Sequence, residues 1–200
     1  MDASEQAEAI LGRGRGTMVS TAFGAAWLGL GLAAAGKFSF WVVIAFSASC
    51  LGLFAGSLSL IRLGRRLRSK NAARPERYAS VRKRFLWVVL AEVVACAAIA
   101  WGCSALKRFD LIALGIAAVV GLHFLPLART FRAPVFYVTG SAIVIWCVVS
   151  WVLFRADKMD TSVAIGTGAI LWLAGGYGLV SAGSRLSSPP SEPASATLSE

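Results

Sequence analysis

The residues from Phe85 to Leu106 read FLWVVLAEVVACAAIAWGCSAL, an apolar run of 22 residues that contains a single charged side chain. As an α-helix, such a run is about 33 Å long at 1.5 Å per residue. That length is enough to cross the roughly 30 Å of hydrocarbon in a bilayer. The apolar residues are continuous and do not alternate with polar ones, which favours a helix over a strand of a membrane barrel. This segment therefore predicts a membrane-spanning helix.

Five other stretches of the chain have the same length and character. Of its 200 residues, 57% are hydrophobic and only 15% are charged, with a mean hydropathy of +0.69. Soluble domains carry about 25% charged residues, so these values argue against a soluble enzyme, a secreted disulfide scaffold or a disordered chain. We expect an all-α polytopic membrane protein with three helical hairpins, whose six spans cover about 17–36, 39–61, 85–106, 111–128, 134–154 and 161–183.

The segments that flank the six spans are polar. Residues 1–16 combine charged residues with glycine, and residues 184–200 are rich in Ser, Pro and Ala. Segments of this composition bury too little apolar surface to offset the entropy of ordering. We therefore expect a disordered N-terminus (1–16) and a disordered tail (184–200) on either side of a transmembrane domain that covers 17–183.

Basic residues are distributed unevenly between the two sides of the predicted bundle. If the N-terminus is cytoplasmic, fifteen of the 20 Lys and Arg residues lie inside, ten of them between Arg62 and Arg84, and five lie outside. Cytoplasmic loops of membrane proteins carry this excess of positive charge. The distribution predicts that both termini and the loop 62–84 are cytoplasmic.

The basic loop 62–84 reads RLGRRLRSKNAARPERYASVRKR. We favour a role as a topology determinant that also contacts the bilayer and its anionic lipid headgroups, at about 1 kcal/mol per charge. Binding of a protein partner, or of a second copy in a homo-oligomer, is an alternative. No nucleic-acid partner is expected, because the loop has neither an aromatic stacking platform nor a known reading motif. The candidate contact residues are Arg65, Arg66, Arg68, Lys70, Arg82, Lys83 and Arg84.

Two ionisable residues interrupt the spans. Glu92 lies eight residues beyond Arg84 and His123 lies six residues before Arg129, or about 12 Å and 9 Å from the same side at 1.5 Å per residue. Antiparallel neighbours would therefore hold them at nearly equal depth. Ionisable groups inside a membrane usually have partners and mark functional sites. The pair predicts either a proton or cation site or a buried hydrogen bond that fixes the hairpin, with His123 bonding a backbone carbonyl as a variant of the second.

Other chemistry has little support in the sequence. The four cysteines all lie in apolar spans without a CxxC pair, and the chain has one histidine, so we expect no metal or cofactor. The catalytic patterns G-x-S-x-G and H-E-x-x-H do not occur, so we expect no enzymatic activity. Small residues four apart predict helix-packing faces in three spans, namely at Gly52 and Gly56, at Ala117 and Gly121, and at Ala174 and Gly178.

Two stretches resemble known families. The segment Gly121–Ala128, which reads GLHFLPLA, resembles a signature of uncharacterised multi-pass bacterial membrane proteins, which implies a cell inner (plasma) membrane. The segment Leu90–Val94, LAEVV, is similar to the glutamate-bearing first helix of small multidrug resistance transporters. That resemblance implies that Glu92 binds a cation and a proton alternately. The chain departs from the second family in two ways: it has Val94 and Ala95 where that family has a glycine after Glu-Val, and it has two additional N-terminal spans.

These observations lead to two functional hypotheses. The first is a non-enzymatic structural or interaction protein of the inner membrane, whose basic loop engages lipid or a partner. The alternative is a small proton-coupled transporter or permease that uses Glu92 and His123. A closed Glu92–His123 contact favours the first hypothesis, and a cavity open to one side favours the second.

Overall fold

The computed structural model describes residues 3–37, 39–67, 77–131 and 133–187. These ranges contain a 3₁₀ turn (Phe109–Leu111), no strand, and the six helices α1 (Ala3–Ala34), α2 (Phe40–Leu67), α3 (Arg77–Ala105), α4 (Ile112–Phe131), α5 (Pro134–Leu153) and α6 (Ala156–Ser187). Each helix contains a stretch long and apolar enough to cross a membrane. The predicted all-α polytopic fold with six spans is confirmed.

Helix α6 lies at the centre of the bundle, where it packs most extensively on α1 and also contacts α2, α4 and α5. Helix α2 packs on α1 and α6 at one edge. Helix α3 packs on α4 and on the 3₁₀ turn at the other edge. Helices α2 and α3 are consecutive in the chain, yet their described residues make no contact with each other. The two edge helices therefore present most of their surface to the surrounding lipid.

Three short turns at one end of the bundle, which we call the hairpin end, join α1 to α2, α3 to α4 and α5 to α6. At the end of α1, Gly36 has a φ of 62°, and the amide of Lys37 donates to the carbonyl of Leu32 at 3.1 Å. This left-handed residue followed by a closing hydrogen bond is a common helix terminus, and glycine adopts it without strain. We call the opposite end, where α2 ends and α3 begins, the basic end.

The main core lies between α4, α5 and α6, and its buried members include Phe124, Ile143, Val163 and Leu171. Two hydrogen bonds link α5 to α6 near the hairpin end. The indole of Trp146 donates to the carbonyl of Ser162 at 2.9 Å, and the Ser162 hydroxyl lies 3.1 Å from that of Ser150. Such interhelical hydrogen bonds add to packing in membranes, where the hydrophobic effect does not drive helices together.

Paired glycines bring helices into backbone contact. Gly121 of α4 faces Gly140 of α5, and a methyl group added at Gly140 would lie 2.5 Å from the carbonyl oxygen of Gly121. Gly24 of α1 faces Gly168 of α6 in the same way, with a methyl at Gly168 only 2.8 Å from the carbonyl oxygen of Gly24. Only residues without a Cβ allow this approach.

The predicted packing faces are confirmed in part. Gly121 packs as expected, and Gly56 packs against Leu179 of α6, but Gly52 faces open space. The prediction for Gly52 is wrong because contact between α2 and α6 is confined to a few positions. Earlier in α2, the stacked rings of Phe46 and Trp172, with centroids 5.5 Å apart, fill the space between α2 and α6.

From the sequence we expect residues 1–16 to be disordered, yet α1 begins at Ala3. In its first turns, Ala7, Ile10 and Leu11 are buried, and Gly14 packs against α2 beside Ile61. Helices α1, α2 and α6 contain 32, 28 and 32 residues, whereas α4 and α5 contain 20 each. Since all six helices reach the hairpin end, this extra length lies at the basic end, where α1, α2 and α6 pack around Ile10. Of the expected tail 184–200, residues 188–200 lie outside the described residues.

Candidate functional site

The seam between α3 and α4 brings Glu92 and His123 together. Nδ1 of His123 lies 3.3 Å from Oε1 of Glu92, and the two side chains are 15% and 18% exposed. The contact follows from the antiparallel packing of the two helices, because each residue lies at a similar distance from the basic end. The expected proximity of the two side chains is therefore present in the structure.

A backbone carbonyl is the nearer partner of the same imidazole nitrogen. Nδ1 of His123 lies 2.7 Å from the carbonyl oxygen of Val120, one turn earlier in α4. A carbonyl oxygen only accepts hydrogen bonds, so Nδ1 carries the proton and donates it. The two contacts expected as alternatives for His123, with Glu92 and with a backbone carbonyl, occur together.

The pair lines a shallow, open cleft of about 310 Å³ on the outer side of the α3–α4 seam. Its walls are apolar apart from the two ionisable side chains, and they include Val88, Ala91, Leu122 and Pro126. A second cleft of about 500 Å³ continues along the seam toward Leu106 and shares Ala95 and Val119 with the first. We call the first of these the pair cleft.

Proline modifies the backbone of α4 beside the pair cleft. The helix continues through Pro126 to Phe131, so Pro126 lies inside the helix rather than at a frayed end. A proline has no amide hydrogen, and the carbonyl four residues earlier, that of Leu122, loses its usual helical donor. Leu122 and Pro126 both line the pair cleft, which places a backbone acceptor without its helical donor next to the ionisable pair.

A series of aromatic rings extends from His123 toward the basic end, and two of them, Phe85 and Phe131, are exposed at the surface. The ring of Phe124 lies 4.5 Å from that of His123 and 5.8 Å from that of Phe136. Phe131 is 5.9 Å from Phe136 and 6.0 Å from Phe85. These four phenylalanines, which we call the aromatic cluster, connect α3, α4 and α5. They could not be identified from the sequence, because apolar residues in a membrane span carry no distinctive signal of position.

The candidate basic residues fall into two groups. Arg65 and Arg66 are exposed in the last turn of α2, whereas Lys83 and Arg84 are exposed near the start of α3. The two helices belong to opposite edges of the bundle and make no contact in their described parts. Arg68 and Lys70 lie outside the described residues, as does the side chain of Arg82. Arg62, which was not among the candidate contact residues, is also exposed on α2.

Within the described ranges, no group of three or more His, Cys, Asp or Glu side chains is arranged to hold a metal ion. Comparison of the chain with protein-family models, with curated proteins and with solved structures returned no match. The two sequence resemblances therefore stay predictions.

Proposed function

We propose that this chain is a non-enzymatic protein of a bacterial inner membrane, and that it binds anionic lipid headgroups through the basic end of α2. One exposed stripe of residues on α2 supports this proposal. Ile44, Leu51, Leu58 and Arg65 are all exposed and are spaced by seven residues, so they lie on one face of the helix.

The apolar part of this stripe faces lipid, because α2 lies at the edge of the bundle. Arg65 continues the same face about 10 Å beyond Leu58, and Arg62 and Arg66 flank it. The three guanidinium groups therefore extend over the surrounding lipid rather than over the bundle. At the membrane surface, arginine forms bidentate hydrogen bonds with phosphate. A cytoplasmic basic end would place these groups against the leaflet that carries anionic lipids.

Lipid retention in native mass spectrometry tests this proposal. We expect the protein to retain phosphatidylglycerol in preference to phosphatidylcholine. The triple variant Arg62→Gln, Arg65→Gln, Arg66→Gln removes three contacts at about 1 kcal/mol each, so its affinity for phosphatidylglycerol should fall by roughly two orders of magnitude. The matched control Lys37→Gln, Arg155→Gln, Lys158→Gln removes the same charge at the hairpin end. Equal retention by the two triple variants would contradict the proposal.

A second candidate function, proton-coupled transport, is favoured by the contact between Glu92 and His123 at the wall of the pair cleft. Ionisable groups that contact each other inside a membrane-spanning segment are typical of proton relays and ion pathways. In proteoliposomes, this function requires a flux that depends on the pH gradient. The variant Glu92→Gln keeps the shape of the side chain and should abolish that flux while the fold survives. A flux that is indifferent to this change would leave the pair with a structural role.

A further inference from the structure

The two clefts on the outer side of the α3–α4 seam form one continuous groove, which we call the seam groove. They share the lining residue Ala95, and on α3 their lining extends from Val88 to Leu106, about 27 Å at 1.5 Å per residue. The walls are apolar apart from Glu92 and His123, whose side chains are largely buried. Because α3 lies at the edge of the bundle, the seam groove is an apolar channel that faces the bilayer.

Arg84 lies at the basic end of the seam groove. It is exposed, and it precedes Val88, Ala91 and Ala95 by four, seven and eleven residues. This spacing places all four residues on one face of α3. Since Val88, Ala91 and Ala95 line the pair cleft, the helical register places the arginine at the mouth of the groove.

Arg129 has the equivalent position on α4. It is exposed and follows Leu122, a lining residue of the pair cleft, by seven residues on the same helix face. Glu92 and His123 are in contact. Arg84 lies about 12 Å and Arg129 about 9 Å beyond them toward the basic end. The two arginines are therefore at similar depth on neighbouring helices.

The charge of these two arginines indicates the chemistry of a ligand. Within residues 3–37, 39–67, 77–131 and 133–187, neither guanidinium group forms an ion pair or a hydrogen bond with another side chain. Arginine donates bidentate hydrogen bonds to phosphate, and two guanidinium groups at one depth can bracket a single phosphate group. The groove below them offers apolar surface to a hydrocarbon chain. An anionic phospholipid combines these two features in one molecule.

We propose that the seam groove binds one anionic phospholipid, with its phosphate between Arg84 and Arg129 and one acyl chain along the pair cleft. The length of the pair cleft fits such a chain. From Arg84 to Ala95, α3 rises about 16 Å, which is close to half of the roughly 30 Å of hydrocarbon in a bilayer. A lipid of the leaflet at the basic end therefore fills the pair cleft. This site lies on the opposite edge of the bundle from the arginines of α2, so it does not depend on lipid binding there.

Photoreactive lipids locate the acyl chain. The protein is placed in phosphatidylcholine nanodiscs that contain a small fraction of a phospholipid with a diazirine midway along one acyl chain. The headgroup of this probe is either phosphatidylglycerol or phosphatidylcholine. On illumination the diazirine loses N₂ and the resulting carbene inserts into a neighbouring bond, which peptide mass spectrometry assigns to a residue. We expect the phosphatidylglycerol probe to label residues 88–95 and 119–126 in preference to the phosphatidylcholine probe.

Substitution of the two arginines tests the headgroup contact. With the phosphatidylglycerol probe well below saturation, the double variant Arg84→Gln, Arg129→Gln should reduce labelling of the groove roughly thirtyfold. Both residues are exposed, so glutamine is compatible with the fold. The matched control Arg62→Gln, Arg65→Gln removes the same charge from the basic end of α2 and should leave labelling of the groove unchanged.

A second pair of variants tests the acyl-chain contact. Ala91→Phe fills the pair cleft and should abolish labelling of residues 119–126, on the facing helix. Val93→Phe is its matched control. Val93 is exposed and lies two residues from Ala91, on the opposite side of α3, so this variant should keep the labelling.

Four results would overturn the proposal. Equal labelling by the two probes would show that the headgroup is not recognised. Full labelling of the Arg84→Gln, Arg129→Gln variant would exclude the phosphate contact, and full labelling of Ala91→Phe would exclude the groove. An equal loss in the α2 control would show that the groove is not a separate site. Lipid binding by α2 is judged by retention in native mass spectrometry, so the two proposals fail independently.

Discussion

Nδ1 of His123 contacts two partners. This arrangement determines how much Glu92 contributes to the stability of the protein. The proton on Nδ1 is directed at the carbonyl of Val120, which is 2.7 Å away, while the Glu92 carboxylate lies at 3.3 Å. If Glu92 is removed, the imidazole keeps its hydrogen bond to the backbone. The loss therefore differs from that of a buried ion pair whose second member is left without any partner.

A double-mutant cycle on Glu92 and His123 measures their coupling. Polar contacts between membrane helices contribute about 0.6 kcal/mol on average. We expect Glu92→Gln to lower the free energy of unfolding slightly, since it keeps a hydrogen-bonding group, and Glu92→Leu to lower it more. The double variant Glu92→Leu, His123→Leu should regain stability relative to the worse single variant in thermal unfolding in mild detergent. Additive losses would mean that the two side chains do not interact.

The equal depth of Glu92 and His123 could be predicted from the sequence, because their spacing to Arg84 and Arg129 defines it and the short connection makes α3 and α4 antiparallel neighbours. The carbonyl of Val120 as the nearer partner depends on the imidazole rotamer, which no sequence pattern encodes. The aromatic cluster was missed for a related reason. Phe85 of α3 and Phe136 of α5 each meet Phe131 of α4, and these contacts depend on which helices are neighbours.

At the scale of the helices, packing is stabilised by close contact between backbones at glycine pairs. In a water-soluble protein, the burial of large apolar side chains has this role. Lipid tails are as apolar as leucine side chains, so burial alone does not hold membrane helices together. Gly121 with Gly140, and Gly24 with Gly168, instead allow close van der Waals contact along the helix surfaces. A single added methyl group at such a pair forces the two helices apart.

We expect Gly140→Ala to destabilise the protein by about 1–3 kcal/mol, the usual range for overpacking a tight interface. The added methyl would lie 2.5 Å from the Gly121 carbonyl oxygen, a backbone atom that moves only with its helix. Gly52→Ala is the matched control. It meets nothing within 4 Å and should be neutral or slightly stabilising, since alanine favours the helix by about 1 kcal/mol over glycine. Thermal unfolding in detergent that ranks the two variants in the opposite order would refute this account of the interface.

The start of α1 shows where composition misleads. The charged residues and glycines among the first 16 residues predict disorder. However, Ala7, Ile10, Leu11 and Gly14 follow the spacing of one helix face. Four positions of moderate hydrophobicity do not reveal their partners on α2 and α6. The ordering of this segment is a tertiary effect, and for that reason local sequence is insufficient to predict it.

The packing of this segment predicts a contrast between two leucines of α1. Leu11 is 1% exposed, whereas Leu30 is 66% exposed. Leu11→Ala should cost about 2–5 kcal/mol, as for a buried leucine, and Leu30→Ala should cost much less because its side chain faces lipid. If Leu11→Ala unfolds at the same temperature as the unaltered protein, the first turns of α1 do not stabilise the bundle.

At the scale of the whole molecule, the bundle is asymmetric along the membrane normal. The four longer helices, α1, α2, α3 and α6, extend beyond the short α4 and α5 at the basic end, while the hairpin end consists of short turns. An even number of spans places the N-terminus, the connection between α2 and α3, and the C-terminus on one side. The charge distribution predicts which side this is, because ten Lys and Arg residues lie between Arg62 and Arg84.

Reporter fusions test this orientation directly. A fusion after Arg68 and one at the C-terminus should both report the cytoplasm, and a fusion near Lys158, in the first turn of α6, should report the periplasm. The expectation rests on two separate features, the even number of spans and the excess of basic residues on one side. A periplasmic C-terminus together with a cytoplasmic Arg68 fusion would contradict the number of spans. Inversion of all three fusions would leave the fold unchanged but would place the arginines of α2 in the outer leaflet. The proposed binding of cytoplasmic anionic lipids would then be untenable.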